Sequence, residues 1–206
     1  MKLGLISDLH GDPIALELAW AHLTLMGADR IVCAGDLVGY GPFPDRVAAF
    51  LQEHQVPAVR GNHDRWALER GPDGRDEFGG GTPSADTLGF LRTLPFDVLV
   101  AYERTVGVVV HGSPRSDMEF VNQGSHPPRV LRGYLSDLDC NLIVVGHTHR
   151  PMWFRAREGL VLNPGSVVSM PVVDSSRTFA IVDLDTLEPT FHDVESGRVV
   201  EVEPWD

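Results

Sequence analysis

The feature that most constrains this chain is a short apolar run, Leu3-Gly4-Leu5-Ile6, that leads into Ser7-Asp8-Leu9-His10. A run this short and this apolar is typical of a strand buried on both faces of a parallel sheet. Open α/β sheets place their ligand sites at the carboxyl ends of such strands. Residues i and i+2 of an extended segment point to the same side, so Asp8 and His10 can converge on one ion. Taken alone, such a pair is more often a helix cap beside an unrelated histidine.

The next segments predict a βαβ unit. Asp12 and Pro13 form a favourable helix start, with Asp12 as N-cap and Pro13 at the first helical position. The mostly apolar residues 14–26 follow, and Gly27 ends the helix. Residues 30–34 predict a second buried strand, which runs into Gly35-Asp36. Strand, helix and strand in immediate succession favour two parallel neighbours in one sheet.

Polar side chains also follow three later predicted strands. Residues 57–60 lead into Gly61-Asn62-His63-Asp64, a predicted hairpin of residues 97–101 and 105–110 ends at His111, and residues 141–145 lead into Gly146-His147-Thr148-His149. Strands that end at one edge of a fold bring such residues together. With oxygen and nitrogen donors and no cysteine, the set suits Mn²⁺, Fe²⁺, Zn²⁺ or Ni²⁺. The donors are too numerous for one ion and about right for two.

Two irregular segments are expected to border these polar residues. Residues 70–83, with Gly79-Gly80-Gly81 in the middle, predict a mobile loop, and residues 112–126 predict another. Each follows a polar strand end directly or after a short helix, so we expect both to influence substrate selectivity. Ser84 is the predicted cap of one further helix, an apolar face from residue 130 predicts another, and the rest is mainly strands, the last at residues 199–202.

Length and charge bound the possibilities. The 206 residues predict a single domain, residues 1–206. A formal net charge of −12 argues against general binding to nucleic-acid backbones, which needs clustered lysine and arginine. No apolar run is long enough to cross a membrane, and Met1 leads straight into the first strand, so we expect a cytoplasmic protein. Cys33 and Cys140, in or beside apolar strands, are expected to be reduced and buried.

The polar motifs together carry a family resemblance. In the order Asp8-x-His10, Gly35-Asp36-x-x-x-x-Gly41, Gly61-Asn62-His63-Asp64, His111 and Gly146-His147-x-His149, the sequence resembles the calcineurin-like metallophosphoesterases, within them the small bacterial and archaeal phosphodiesterase branch. Asn163-Pro164-Gly165-Ser166 resembles the closing motif of the family. The resemblance implies an α/β fold, a four-layer αββα sandwich of two mixed β-sheets flanked by helices, and a centre of two metal ions.

The resemblance also implies a role for each polar residue. Asp8, His10 and His149 would hold the first ion, Asn62, His111 and His147 the second, and Asp36 would bridge them. A hydroxide between the ions, with Mn²⁺ favoured, would attack phosphorus. His63 would stay outside the ligand set and stabilise the transition state or protonate the leaving oxygen. Asp64 would orient a ligand or cap the following helix.

Several assignments around this centre stay open. The substrate would be a small phosphorylated molecule: a phosphodiester, a phosphomonoester, or a nucleotide such as a dinucleoside polyphosphate. The candidates for substrate contacts are Arg65, Arg115 and Tyr40. Phe78 and Phe120, like Tyr40, could stack on a base, although loop packing is the simpler explanation. The oligomeric state is not indicated by any pattern.

One position departs from the family pattern. Many relatives have an acidic residue or a histidine three positions after the bridging aspartate, where it orients the catalytic histidine, and here that position is Gly39. The partner of His63 must then come from elsewhere or be water.

A second hypothesis for the function is a non-catalytic scaffold of the same fold, as in the retromer complex. Such proteins typically lose metal-site histidines, and none is missing from these motifs.

Overall fold

The computed structural model describes residues 1–72, 74, 76–169 and 177–205 of the chain. Over these residues the order of elements is β1 (Lys2–Ile6), α1 (Pro13–Leu25), β2 (Arg30–Cys33), α2 (Pro44–Glu53), α3 (Asn62–Arg70), α4 (Ala85–Thr93), β3 (Asp97–Tyr102), β4 (Thr105–Val110), α5 (Pro128–Asp137), β5 (Leu142–Val144), β6 (Met152–Arg155), β7 (Leu160–Asn163), β8 (Thr178–Asp183), β9 (Glu188–Asp193) and β10 (Val199–Val200).

The strands form two mixed sheets. The first sheet has the order β10-β9-β8-β1-β2, and its β1 and β2 are parallel neighbours joined by α1, so the predicted βαβ unit is confirmed. The second sheet has the order β3-β4-β5-β7-β6, with parallel β4, β5 and β7 between two antiparallel edge strands. The α/β class with two mixed sheets is therefore confirmed.

Alternating side chains of the buried strands build a layered core. Leu3 and Leu5 of β1 pack in the same apolar cluster as Val109 and Val144, so they lie between the two sheets. Ile6 belongs to the cluster that joins the first sheet to helices α1 to α4. A third cluster joins the second sheet to α5. The order of layers is therefore helices, sheet, sheet and helix. Full burial of a leucine such as Leu3 contributes about 1.5–3 kcal/mol to the stability of the folded state.

The segment at residues 57–60 differs from its prediction. Only Ala58 forms a bridge, to Cys33, so the predicted third strand is wrong as a regular element. The chain turns at once into α3, whose first residue is Asn62, so Asn62 and His63 lie in the first turn of a helix and not at a strand end.

Two strands near the C-terminus also differ from the prediction. Strand β9 was not predicted, because its sequence Glu-Pro-Thr-Phe-His-Asp has a proline and little apolar alternation. Strand β10 stops at Val200 and is shorter than predicted.

The local predictions at helix starts and cysteines are confirmed. Asp12 accepts hydrogen bonds from the backbone N–H groups of Ile14 and Ala15, both at 3.0 Å, and Ser84 caps α4. Cys33 and Cys140 are buried free thiols. Within the described ranges, no helix has both the length and the apolar character that a membrane crossing requires.

Candidate metal centre

The candidate site lies where strands of both sheets end. Asp8 and His10 follow β1, and Asp36 follows β2, so the first sheet contributes these three. The second sheet contributes the residues after β4 and β5, and α3 contributes its first turn. All the predicted metal ligands are almost fully buried, with exposed fractions of 8% or less: Asp8, His10, Asp36, Asn62, His111, His147 and His149.

The backbone at this edge is unusual. Most of the predicted ligands have positive φ angles, a conformation that costs about 1–3 kcal/mol for a residue with a side chain: Asp8 (56°), His10 (43°), Asp36 (54°), His147 (66°) and His149 (59°). Backbone hydrogen bonds hold the first two loops together, from Asp8 N–H to the Gly35 carbonyl and from His10 N–H to the Asp36 carbonyl, both at 2.9 Å. Asp8 and His10 do converge, but through tight turns and not through the extended segment that their spacing predicted.

The side chains fall into two donor groups that share Asp36. The Asp8 group consists of Asp8, His10, Asp36 and His149, and the His111 group consists of Asp36, His111 and His147; within each, the donor atoms lie within 4.8 Å of one another. Asn62 joins the His111 group, because its Oδ1 lies 2.9 Å from Nε2 of His111. The structure therefore brings all seven predicted ligands together.

The donor groups fit divalent cations. Oδ1 of Asp8 and Nε2 of His147 are buried, and neither has a hydrogen-bond partner within the described part of the chain. Nε2 of His10 and Nε2 of His149 lie 3.0 Å apart, and both face Oδ1 of Asp8. Buried carboxylates and imidazoles need compensation for the water that they lose, and a cation between them provides it. Each group can therefore bind a metal ion.

Comparison with known proteins identifies the family. The profile of the calcineurin-like phosphoesterase superfamily domain matches residues 1–187. This chain belongs to that family. Phosphodiesterase YfcE of Escherichia coli is 29% identical over 198 residues, which cover 91% of this chain and 90% of YfcE. The predicted family and a metal-dependent phosphoesterase activity are therefore confirmed at the level of the family.

Solved structures agree with this assignment. A metallophosphoesterase from Sphaerobacter thermophilus superposes with a TM-score of 0.73 at 28% identity, covering 95% of this chain and 88% of that chain. A hypothetical protein from Pyrococcus horikoshii shares the fold, with a TM-score of 0.80 at 20% identity and coverage of 94% and 88%. The arrangement of two sheets and flanking helices is thus that of the calcineurin-like phosphoesterases.

The Asp8 group of this phosphoesterase combines two carboxylates with two histidines. Burial disfavours the ionised form of Asp8, but nearby His149 outweighs it and lowers the pKa of Asp8. Burial, together with the nearby imidazoles of His149 and His63, outweighs Asp36 and Asp8 and lowers the pKa of His10 to about 4. For His149, burial is outweighed by Asp8, which raises the pKa of that imidazole.

The His111 group has a different balance. Burial disfavours a charged His111, but Asp36 outweighs it, with its Oδ2 at 3.2 Å from Nε2, and raises the pKa of His111 to about 10. The same contact counters the effect of burial on Asp36 and keeps its pKa far below the usual range. Burial lowers the pKa of His147 to about 4. Without metal at neutral pH, His111 is therefore an imidazolium and His147 a neutral imidazole.

The predicted catalytic residue His63 lies beside the donor groups. Its backbone N–H donates to Oδ1 of Asp36 at 2.9 Å, which anchors the start of α3 to the shared carboxylate. Burial lowers the pKa of its imidazole, and Asp36 opposes that shift. Its ring packs against other rings, with centroid distances of 4.7 Å to Tyr40, 4.8 Å to Trp66 and 5.1 Å to Phe78. Aromatic packing thus orients His63.

Gly39 explains this packing. A Cβ atom at Gly39 would lie 2.4 Å from Nδ1 of His63, so the imidazole fills the space into which a side chain at position 39 would project. Nδ1 itself is buried, and no polar group of the described residues forms a hydrogen bond to it. Position 39 therefore has no side chain that could orient His63, and the imidazole occupies the space beside it.

Asp64 has the helix-capping role that was one of its two predicted alternatives. Its carboxylate accepts hydrogen bonds from the backbone N–H groups of Gly61 at 2.9 Å, Leu37 at 2.9 Å and Val38 at 3.2 Å. The side chain thereby ties the start of α3 to the loop after β2, which carries Asp36. Asp64 positions two ligand-bearing segments against each other.

Of the predicted substrate contacts, Tyr40 is next to the site. Its ring lies 4.9 Å from the ring of His10, and it also contacts His63. The guanidinium of Arg65 instead forms ion pairs with Asp117 at 2.7 Å and Glu69 at 2.9 Å. Arg115 lies over the ring of Tyr134 at 5.0 Å. Both arginines are engaged by other side chains of the protein.

Aromatic residues of both irregular loops reach the site. Phe78 packs on His63, and Phe120 packs on His147 with their ring centroids 4.2 Å apart. The sequence slightly favoured plain loop packing for both. Trp66 was not singled out, although its position three residues after His63 places the two rings on one face of a helix.

Proposed function

We propose that this protein hydrolyses phosphodiesters with two divalent cations, one in each donor group. The observation that carries the proposal is the position of Asp36. Its Oδ2 lies 3.8 Å from Nε2 of His10 in one group and 3.2 Å from Nε2 of His111 in the other. One carboxylate can therefore serve two cations.

Each ion would have its own ligands besides Asp36. Asp8, His10 and His149 would hold one ion, and the other would be held by Asn62, His111 and His147. Oxygen and nitrogen donors without thiolates suit Mn²⁺, which we propose, with Fe²⁺, Zn²⁺ and Ni²⁺ as alternatives. When bound, such a pair of ions lowers the pKa of water toward neutrality and compensates the charge of the phosphoryl group.

His63 is the proposed proton donor. During hydrolysis a water molecule gives up one proton to solvent, its oxygen forms a bond to phosphorus, and the bond from phosphorus to the leaving oxygen breaks. The leaving oxygen then takes a proton from the imidazolium form of His63, which is left as the neutral imidazole. The rings of Tyr40, Trp66 and Phe78 hold that imidazole in place and shield it from bulk water. Activity on poor leaving groups depends on this orientation.

The proposed substrate is a small phosphodiester. The relative YfcE is named a phosphodiesterase. Phosphomonoesters and nucleotides such as dinucleoside polyphosphates remain alternatives, and the net charge of −12 disfavours general nucleic-acid binding. Tyr40 is the proposed substrate contact, whereas Arg65 and Arg115 would have to leave their present partners to take that role. We also propose that residues 1–206 act as one domain.

The test combines metal content with two substrates. Protein stripped with a chelator is given back Mn²⁺ and assayed on bis(4-nitrophenyl) phosphate and on 4-nitrophenyl phosphate. We expect nearly two ions per chain and faster hydrolysis of the diester. A chain that binds no metal and hydrolyses neither ester would support the scaffold hypothesis instead. When the same assays are applied to Asp36→Asn, the matched control is Asp137→Asn, which removes an exposed carboxylate on α5.

A further inference from the structure

A cavity borders the His111 group on the side of His147. It has a volume of about 740 Å³, and its lining includes Phe120, Gln123, Thr148, Arg150, Met152 and Trp205. Phe120 of this lining packs on the ring of His147, and Thr148 follows His147 in the chain, so the cavity adjoins the His111 group through these two residues. Its size lies within the usual range for small-molecule sites, roughly 300–1,000 Å³. We call it the Phe120 cavity.

Phe120 is held firmly although it is exposed. About half of its side chain, 52%, is accessible to solvent, and its ring rests on the ring of His147. The carbonyl of Phe120 accepts hydrogen bonds from Asn122 Nδ2 at 2.9 Å and from Ser125 Oγ at 3.0 Å. An exposed aromatic face that is fixed beside a polar site is available for stacking.

Glu119, the residue before Phe120, links the segment around Phe120 to other parts of the protein. The carboxylate of Glu119 accepts hydrogen bonds from Ser113 Oγ and from Tyr134 OH, and His126 lies 3.3 Å from it. Tyr134 belongs to α5, so the loop that carries Phe120 is joined to a helix of the core. The segment that carries Phe120 is therefore tied to the core as well as to its own loop.

A second cavity borders the Asp8 group. It has a volume of about 470 Å³ and is lined by His10, Tyr40, Phe43 and Phe78, among others. Tyr40 and Phe78 are also the rings that pack on His63. If His63 donates the proton, the leaving group lies on this side. The substituent that stays on phosphorus then points toward the other donor group and the Phe120 cavity.

We propose that the Phe120 cavity binds the ester substituent that remains on the product phosphate, and that this substituent carries a planar ring such as a nucleobase. This inference rests on the proposed function and names its substrate class as nucleoside phosphodiesters. Phe120 supplies the stacking face, and the exposed side chains of Gln123 and Arg150 supply hydrogen-bonding groups at the rim. Methyl or other small substituents would leave the cavity unfilled.

Two esters with the same leaving group test the proposal. Thymidine 5′-(4-nitrophenyl) phosphate and methyl 4-nitrophenyl phosphate differ only in the substituent that the product keeps. We expect Phe120→Ala to raise KM for the thymidine ester by roughly 5- to 100-fold, the range that loss of one stacked base predicts, with a much smaller change in KM for the methyl ester. Phe120→Tyr should restore the wild-type values. Leu25→Ala, at an 84% exposed residue at the end of α1, is the matched surface control.

The outcomes separate this inference from the proposed function. An equal effect of Phe120→Ala on both esters, or no effect on either, overturns the inference. Calorimetry with Mn²⁺-loaded protein adds a readout besides catalysis, because thymidine 5′-monophosphate should bind more tightly than inorganic phosphate, and Phe120→Ala should remove the difference. If the wild type hydrolyses neither ester but shows that binding difference, the proposed function fails and the cavity assignment stands. Equal affinity for the two anions overturns the assignment whatever the rates.

Discussion

The two donor groups share a carboxylate but differ in charge. The Asp8 group has a second carboxylate, Asp8 itself, whereas the His111 group completes its set with the neutral oxygen of Asn62. Each group has one imidazole whose pKa is lowered to about 4, His10 in the first and His147 in the second. Each also has one whose pKa is raised, His149 in the first and His111, to about 10, in the second.

The difference in charge indicates that the groups are not equivalent sites for a cation. A cation in the Asp8 group meets two negative charges, a neutral His10 and His149, whose pKa Asp8 raises. In the His111 group it meets one shared negative charge and must displace a proton from His111, because ligand nitrogens have to be deprotonated. The metal centre is therefore expected to fill the Asp8 group first and to lose the ion of the His111 group first.

The largest effect is expected when the shared charge is removed. Asp36→Asn weakens both groups, because the repulsion between two cations is then less compensated. At least one ion should be lost, and the rate should fall by more than the roughly 10- to 100-fold that loss of an outer partner of a metal ligand costs. Elemental analysis and diesterase assays on the same samples measure both. Two ions and full activity in Asp36→Asn would contradict the sharing of Asp36.

A matched pair of variants compares the groups directly. His147→Ala leaves only the Asp8 group intact, and His149→Ala leaves only the His111 group intact. We expect one ion per chain in each variant, bound more tightly in His147→Ala. One additional charge at about 4 Å contributes up to about 4 kcal/mol at an effective dielectric near 20, so the affinities should differ by roughly 10- to 1,000-fold. Competition with a chelator measures them, and equal affinities would show that Asp8 does not distinguish the groups.

His63 should affect rate without affecting metal. It belongs to neither group, so His63→Ala should keep two ions while the rate on an alkyl diester falls toward the low end of the 10²–10⁴-fold range, about 100-fold. An activated aryl diester should lose less, since its leaving group hardly needs a proton. Equal losses on both substrates with two ions retained would make His63 an electrostatic or binding residue. Loss of an ion would place it among the ligands.

Gly39→Ala tests the orientation of the same imidazole. Its φ of +92° and the 2.4 Å approach of a Cβ to Nδ1 of His63 mean that the ring must move. We expect a fall in rate on the alkyl diester of about 10-fold or more, with metal content unchanged. Gly27→Ala, where φ is +76° but nothing lies within 4 Å, controls for backbone strain alone. Similar rates in both glycine variants would show that the position of His63 tolerates the added methyl group.

The smallest effect is a release of protons on metal loading. With a pKa of about 10, His111 is protonated at pH 7 in the metal-free protein and must release about one proton when the His111 group binds metal. His10 and His147, with pKa values of about 4, are already neutral and release none. Affinity should therefore rise from pH 7 toward 10. Calorimetry of His149→Ala in buffers of different ionisation enthalpy counts these protons, and a count near zero would contradict the raised pKa of His111.

The same raised pKa has a consequence for folding. A group whose pKa rises on folding stabilises the folded state fully below its unfolded pKa, near 6.5 for histidine. That contribution is lost as pH rises through about 10. The metal-free protein should therefore become easier to denature between these pH values, whereas Mn²⁺-loaded protein should show less change.

The sequence by itself determined most of the strands, the polar ends of the central ones and the family. Three apolar runs are local patterns and can be recognised without knowledge of the packing: those before Asp8, Asp36 and His147. Their order along the chain identified the calcineurin-like phosphoesterases, and the family profile confirmed it. The helix caps at Asp12 and Ser84 could likewise be predicted from the sequence, because a cap depends on neighbours within a few residues.

The tertiary structure decided what depends on distant segments. Asn62 lies in a helix because its segment turns after a single bridge to β2, and the convergence of Asp8 and His10 depends on backbone bonds to Gly35 and Asp36. The pKa of His111 is set by Asp36, which comes from the other sheet, and the orientation of His63 by rings from two loops and a helix. Charge and packing act through space, so residues far apart in sequence had to be brought within a few ångströms before these properties existed.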